Sequence, residues 1–153
     1  MRPYRGLTKD GKWVYGNLII NNARESDGIH ETEPMRAFIR ERDKSWKSEP
    51  NDKCWTYLIY EVIPETVGQS TGLHDKNGRG DEIYAGSLVW RVDSKDTYAV
   101  IWRKVHGQWW LREYKQGKLK EWATPLMVAA AKEYLTLCGN IHQNPELMES
   151  DNG

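Results

Sequence analysis

Surplus charge is the first thing this sequence lacks. Its 22 Lys and Arg equal its 22 Asp and Glu, and the isoelectric point is near 6.9. A neutral chain exerts no global pull on nucleic acid or an anionic membrane, so binding to either needs a local basic face. Long apolar runs are missing too. No stretch approaches the ~20 apolar residues of a membrane span, and the opening MRPYRGLTKDGKW lacks the apolar core of a secretory signal. Only two cysteines occur, Cys54 and Cys138, neither in a C-x-x-C pair. That is too few for a disulfide scaffold and argues for a reducing compartment. The expectation is a soluble cytoplasmic protein with no membrane partner. Phenylalanine is nearly absent, one against eight Trp and eight Tyr. Trp and Tyr have polar tips, which suits half-buried and contact positions better than a dry core.

At 153 residues the chain fits one domain or two small subdomains. Lys12–Ile20 is aromatic and β-branched after the turn-like Lys9-Asp10-Gly11, and it reads as a strand. Trp55–Ile63 is a second, closed by Pro64. Residues 35–41 are too short to assign as strand or helix. Glu82–Val92 reads as a strand bent at Gly86. Thr97–Val105, Gln108–Lys115 and Lys118–Ala123 are short β-rich runs joined by His106-Gly107 and Gln116-Gly117, links of hairpin length. Residues 125–135 (PLMVAAAKEYL) predict the one helix, with Thr124 as N-cap and Pro125 at its first position. Residues 137–142 read as a last strand.

Two motifs in GQSTGLHDKNGRGDEIY (68–84) invite chemistry. Gly68-Gln69-Ser70-Thr71-Gly72 matches the G-x-S-x-G of serine hydrolases. A nucleophile elbow needs a helix after the serine, and none is predicted here. The second motif, beginning at Asp75, imitates a calcium loop. It places Arg79 and Gly86 where an oxygen ligand and a bidentate Glu are required. His30, His74, His106 and His142 are too widely spaced for a zinc motif, and no phosphate-cradling glycine loop occurs. No cofactor, metal or catalytic residue is expected. The segment reads instead as a structural turn, with Gly68, Gly72, Asp75, Asn77 and Gly78 as its characteristic residues.

Residues 90–120 are different: eight Lys or Arg against three Asp or Glu, with four Trp and two Tyr. Tight hairpins would put Val100, Trp102, Leu111 and Trp122 on one sheet face. Arg103, Trp110, Arg112 and Tyr114 would share the other with Ala99 and Ile101. Arginines among aromatics can grip a peptide or stack on bases, so Arg103, Trp110, Arg112 and Tyr114 are the candidate binding residues.

Tyr60–Gln69 (YEVIPETVGQ), Thr71-Gly72-Leu73, Asp75-Lys76-Asn77-Gly78 and Glu82-Ile83-Tyr84 resemble the YopX proteins of bacteriophages and prophages. The start, Tyr4-Arg5-Gly6 with Gly11–Gly16, and the ending, Gly139-Asn140-Ile141 with Asn144–Leu147, are similar to the same family. Ser70 stands where that family usually has Tyr. Gly80-Asp81 resembles a small insertion, and Ala85 and Ser87 replace the usual Glu and Asp. The resemblance implies a phage or prophage origin and a β-rich fold, and it implies no reaction.

Together these readings predict a β-dominated α+β protein. An N-terminal antiparallel sheet (1–67) would lead through a Gly-rich connector (68–82) to a C-terminal small barrel or curled sheet (83–148) with one late helix, then a flexible tail (149–153). The expected function is that of a non-enzymatic phage accessory protein binding a host or phage protein, with inhibition of a host defence as one form. A nucleic-acid-binding protein using residues 90–120 and an enzyme of unstated reaction are the alternatives, and a homo-oligomer is compatible with all three.

Overall fold

The computed structural model describes residues 3–21, 35–42, 57–75, 79–91, 96–115, 118–131 and 135–144. The fold is β-dominated, with two antiparallel sheets and one short helix. The chain divides into two compact units, Met1–Gln69 and Ser70–Gly153.

The first unit is built on β1 (Tyr4–Leu7), β2 (Trp13–Asn21), β3 (Arg36–Arg42) and β4 (Tyr57–Val62). β1 and β2 form a hairpin in register Tyr4↔Gly16 to Leu7↔Trp13. Its turn is closed by the Thr8 amide donating to Lys12 O (2.9 Å) and the Gly11 amide to Thr8 O (3.0 Å). β2 is long enough to serve two partners: Trp13–Gly16 pair with β1, and Asn17–Asn21 pair with β3. β4 adds to β3 without a register break. Alternation along these strands buries Val14, Ala37, Ile39 and Val62 as one core, with Tyr4, Leu18, Tyr60 and Val67 packed around it. Of residues 35–41, which the sequence left undecided, all but Met35 belong to β3, and Ile39 is wholly buried there.

The segment expected to be a connector is mostly strand. A 3-10 turn, Pro64–Thr66, leads into β5 (Gly68–His74), which precedes β6 (Glu82–Tyr84). Gly68 and Gln69 pair with Arg5 and Tyr4 of β1. Further along, Ser70 pairs with Tyr84 and His74 with Glu82. Four steps on β5 thus match two on β6, so Thr71-Gly72-Leu73 bulges, with Gly72 at φ 76°. A glycine-rich sequence can therefore carry a strand when its extra residues are absorbed in a bulge.

The second unit continues through β7 (Ser87–Arg91), β8 (Thr97–Arg103), β9 (Gln108–Lys115), β10 (Lys118–Pro125), α1 (Leu126–Ala131) and β11 (Leu135–Asn140). Its sheet order is β10-β9-β8-β7-β11. Of the two forms expected, the barrel does not close. β10 and β11 are the edges, and each carries a register shift that breaks the even row of pairing groups closure would need. The strand expected over 82–92 is two strands, because Gly86 at φ 76° turns the chain between β6 and β7. There the Gly86 amide donates to Val100 O (2.9 Å), and the Ile141 amide to Gly86 O (3.0 Å).

One face of this sheet holds Val89, Tyr98, Val100 and Leu111, with Leu135 beside them, capped by Leu126 and Ala129 of α1. Leu126 and Ala129 are three apart and so share a helix face. Full burial of a leucine such as Leu126 stabilises by about 1.5–3 kcal/mol. The helix is shorter than the 125–135 expected. Pro125 still pairs with Trp110 as the last residue of β10, and Leu135 is already paired with Arg91. On the opposite face Leu88, Ala99 and Tyr114 form a smaller core with Ile101, Leu119, Cys138 and Ile141.

Candidate functional site

β8 and β9 pair as Ala99↔Arg112, Ile101↔Trp110 and Arg103↔Gln108. The link between them is four residues, a 3-10 turn Lys104–His106 followed by Gly107 at φ 59°, rather than the two-residue turn the sequence suggested. The difference is even, so the faces come out as expected. Arg103, Trp110, Arg112 and Tyr114 share one face, and Val100, Trp102 and Leu111 share the other.

Trp122 is on the face opposite to the one expected. β10 begins in the simple register, Leu119↔Tyr114, but Trp122 pairs with Arg112. Three steps on β10 against two on β9 make a one-residue bulge, and one residue reverses the side a strand presents. The Arg112 Nε donates to Lys120 O (2.8 Å) inside this bulge. Trp122 therefore joins the arginines. The Arg103 guanidinium lies 4.3 Å from the Trp110 ring centroid and 4.9 Å from that of Trp122, and Arg112 lies 5.0 Å from Trp122. Trp110 and Trp122 meet edge to face at 6.3 Å, and His106 tilts against Trp110 at 5.1 Å. Strict alternation could not have placed Trp122 here. The available signal was the pair Leu119 and Trp122, two large apolar residues an odd number apart that both need the same face.

The electrostatics are one-sided. Arg103 makes no hydrogen bond or ion pair among the described residues. Glu113, the acid on β9, pairs with Tyr98 on the other face and is engaged by Lys115 at 2.8 Å. All four residues of the cluster are partly exposed. Tyr114 is not: it lies on the same side of the sheet, but at 9 % exposure it is buried there against Leu88 and Ala99. The opposite face carries its own exposed aromatic, Trp102, edge to face with Trp109 at 5.0 Å.

The G-x-S-x-G residues are occupied by the fold. Ser70 sits within β5, not at a strand-to-helix turn; its hydroxyl donates to Glu82 Oε1 and accepts from the Gly72 amide. Tyr84 donates to the other Glu82 oxygen at 2.9 Å. Gly68 is buried opposite Arg5. Asp75, 3 % exposed, accepts from the Leu137 amide (3.0 Å) while its own amide donates to Asp81 O (2.9 Å). This ties the loop to β11. Asn77 and Gly78 lie outside the described residues, as do His30, Cys54 and 149–153. His74, His106 and His142 are exposed, and no group of three or more metal-ligating side chains gathers among the described residues. No helix of the described chain is long and apolar enough to cross a membrane. Burial pushes the Cys138 thiol up to about 12, which leaves it un-ionised and inert at neutral pH.

A family model described as YopX protein matches residues 4–149. The chain belongs to the YopX family. Membership associates it with phages and prophages and attaches no reaction to any residue. A search among curated proteins found no match. The YopX signature has a structural meaning in this chain. In the Ile63–Thr66 stretch, Thr66 donates to Ile63 O (2.6 Å) and accepts from the Leu7 amide (2.9 Å), latching the end of β1 to the turn. In the Gly139–Ile141 stretch, Asn140 Oδ1 accepts from the His142 and Gln143 amides, both at 3.0 Å, forming the turn after β11. Ser87, where the YopX pattern has Asp, is fully buried and accepts from the Tyr84 amide (3.1 Å), so an acceptor is kept at that position.

Proposed function

We propose that this YopX protein is a non-enzymatic phage accessory protein that acts in the host cytoplasm by binding a macromolecule, a host protein first of all. The surface assigned to this is the face of Arg103, Trp110, Arg112 and Trp122; obstruction of a host defence is one form the activity would take. The observation that carries the reading is the state of Arg103: held over two indole rings, partly exposed, and without an acceptor among the described residues. Arg36 offers the contrast. It also lies over an aromatic ring, Phe38, but both arms of its guanidinium are spent on Glu61 at 2.9 and 3.0 Å. Arg and Trp dominate the energetics of protein interfaces, and rings that fix a guanidinium lower the entropy lost when it binds.

The test is affinity capture of the tagged protein from phage-infected host cells, with and without nuclease. A protein partner retained after nuclease treatment and lost from the Arg103→Ala, Trp122→Ala double variant supports the reading. Complete loss on nuclease treatment, or full retention by the double variant, counts against it. Exposed cation–π pairs are worth only about 0.5–1 kcal/mol each, so the variant is expected to fold.

A further inference from the structure

We infer that the partner presents a pair of carboxylates, and that Arg103 and Arg112 of this face take one each. The inference rests on the reading of this face as the binding surface and specifies its ligand chemistry. A guanidinium is a planar fork whose parallel N–H groups match a carboxylate. Arg103 has the whole fork open among the described residues, and Arg112 commits only its Nε, to Lys120 O. Each lies within 5.0 Å of the same Trp122 ring, so the two charges are within about 10 Å of one another. In an extended chain, side chains two residues apart point the same way and lie about 6.5–7 Å apart. A Glu-x-Glu segment laid across Trp122 would therefore meet both forks without distortion.

Charge complementarity selects this occupant. The acid of β9, Glu113, is held by Lys115 on the opposite face, and Glu121 beside Trp122 forms no ion pair with either arginine. Among the described residues the face is cationic without internal compensation, while the chain as a whole is neutral. Nucleic acid fits less well. A guanidinium already lies over each indole, so the rings orient cations instead of offering bare platforms for bases. Two arginines also neutralise few phosphates.

The experiment measures binding of the full chain to fluorescein-labelled Glu-Ser and Gln-Ser repeat peptides and to oligothymidine, by anisotropy at one fixed salt concentration. The expected result is binding of the Glu-Ser peptide alone, weakened roughly tenfold by Arg103→Gln and by Arg112→Gln. Arg103→Lys, which keeps the charge and loses the fork, is also expected to bind more weakly. Far-ultraviolet circular dichroism checks that each variant is folded. Equal binding of the Gln-Ser peptide, no binding of the Glu-Ser peptide, full affinity in Arg103→Lys, or Arg103-dependent binding of oligothymidine each overturns the inference. A nuclease-resistant, Arg103-dependent captured protein alongside a negative peptide result would remove the carboxylate assignment and leave the proposed function standing.

Discussion

At the scale of single residues, the side chains that give the YopX signature its specificity are mostly engaged in holding backbone. Thr66 is the clearest case, buried to 6 % exposure and bridging Ile63 O and the Leu7 amide. Thr66→Val keeps the shape and orphans the Leu7 N–H. The expected loss is about 1–3 kcal/mol, read as a lower urea midpoint with an unchanged slope. Gly16 makes a different demand. It sits where β2 changes partner from β1 to β3, and a Cβ there would run into the Arg40 carbonyl, 2.8 Å from its carbon. Backbone cannot rotate away as a side chain can. Gly16→Ala is therefore expected to cost about 1–3 kcal/mol, and a variant as stable as the parent would show that the two strands separate freely at this point.

At the scale of elements, bulges decide more than strand composition does. The bulge in β5 turns a glycine-rich run into a paired strand, and the one in β10 moves Trp122 to the arginine face. Deleting Glu121 leaves two steps on β10 against two on β9 between Leu119 and Trp122, so it removes this bulge and keeps Trp122 opposite Arg112. The expected outcome is a folded protein with Trp122 still beside Arg103 and Arg112 and with peptide binding retained. Loss of binding by the folded deletion variant would mean that the bulge itself, where Arg112 donates to Lys120 O, organises the face. α1 shows the limit of local propensity. An alanine-rich run favours helix, yet the demand for a strand partner to β7 begins at Leu135.

At the scale of the whole molecule, charge sets the response to pH. Hydrogen bonding from Arg36 holds the Glu61 carboxyl below its ordinary 4.5, and hydrogen bonding from the Thr8 side chain and from its own backbone holds Asp10 below 3.8. Depressed folded values give stability that is present above those ordinary values and lost as pH falls through the folded ones. Cys138 acts at the other end. Its raised value gives stability that is present below 9.0 and lost as pH rises toward about 12. Urea midpoints are expected to fall in acid and again in alkali, with Glu61→Gln softening the acid limb and Cys138→Ala the alkaline one; identical limbs in the variants would oppose these assignments. Because the chain is neutral near pH 6.9, its solubility should be lowest there and recover on either side, as light scattering would show.

Residue order alone determined the β-dominated class, most of the strands, the YopX family and the shared face of Arg103, Trp110 and Arg112. These depend on period-two alternation and on the spacing of turns, both local properties that survive an even change in loop length. What the chain pattern could not fix was decided by pairing between distant strands. The β10 bulge brought in Trp122, and burial against Leu88 and Ala99 on that same face took Tyr114 out of reach of a partner. β1 also went unrecognised, because Tyr4–Leu7 is too short to show alternation and is a strand only by its pairing with β2 and β5. A single inserted residue inverts every side chain beyond it, and no local preference records which strand will absorb it.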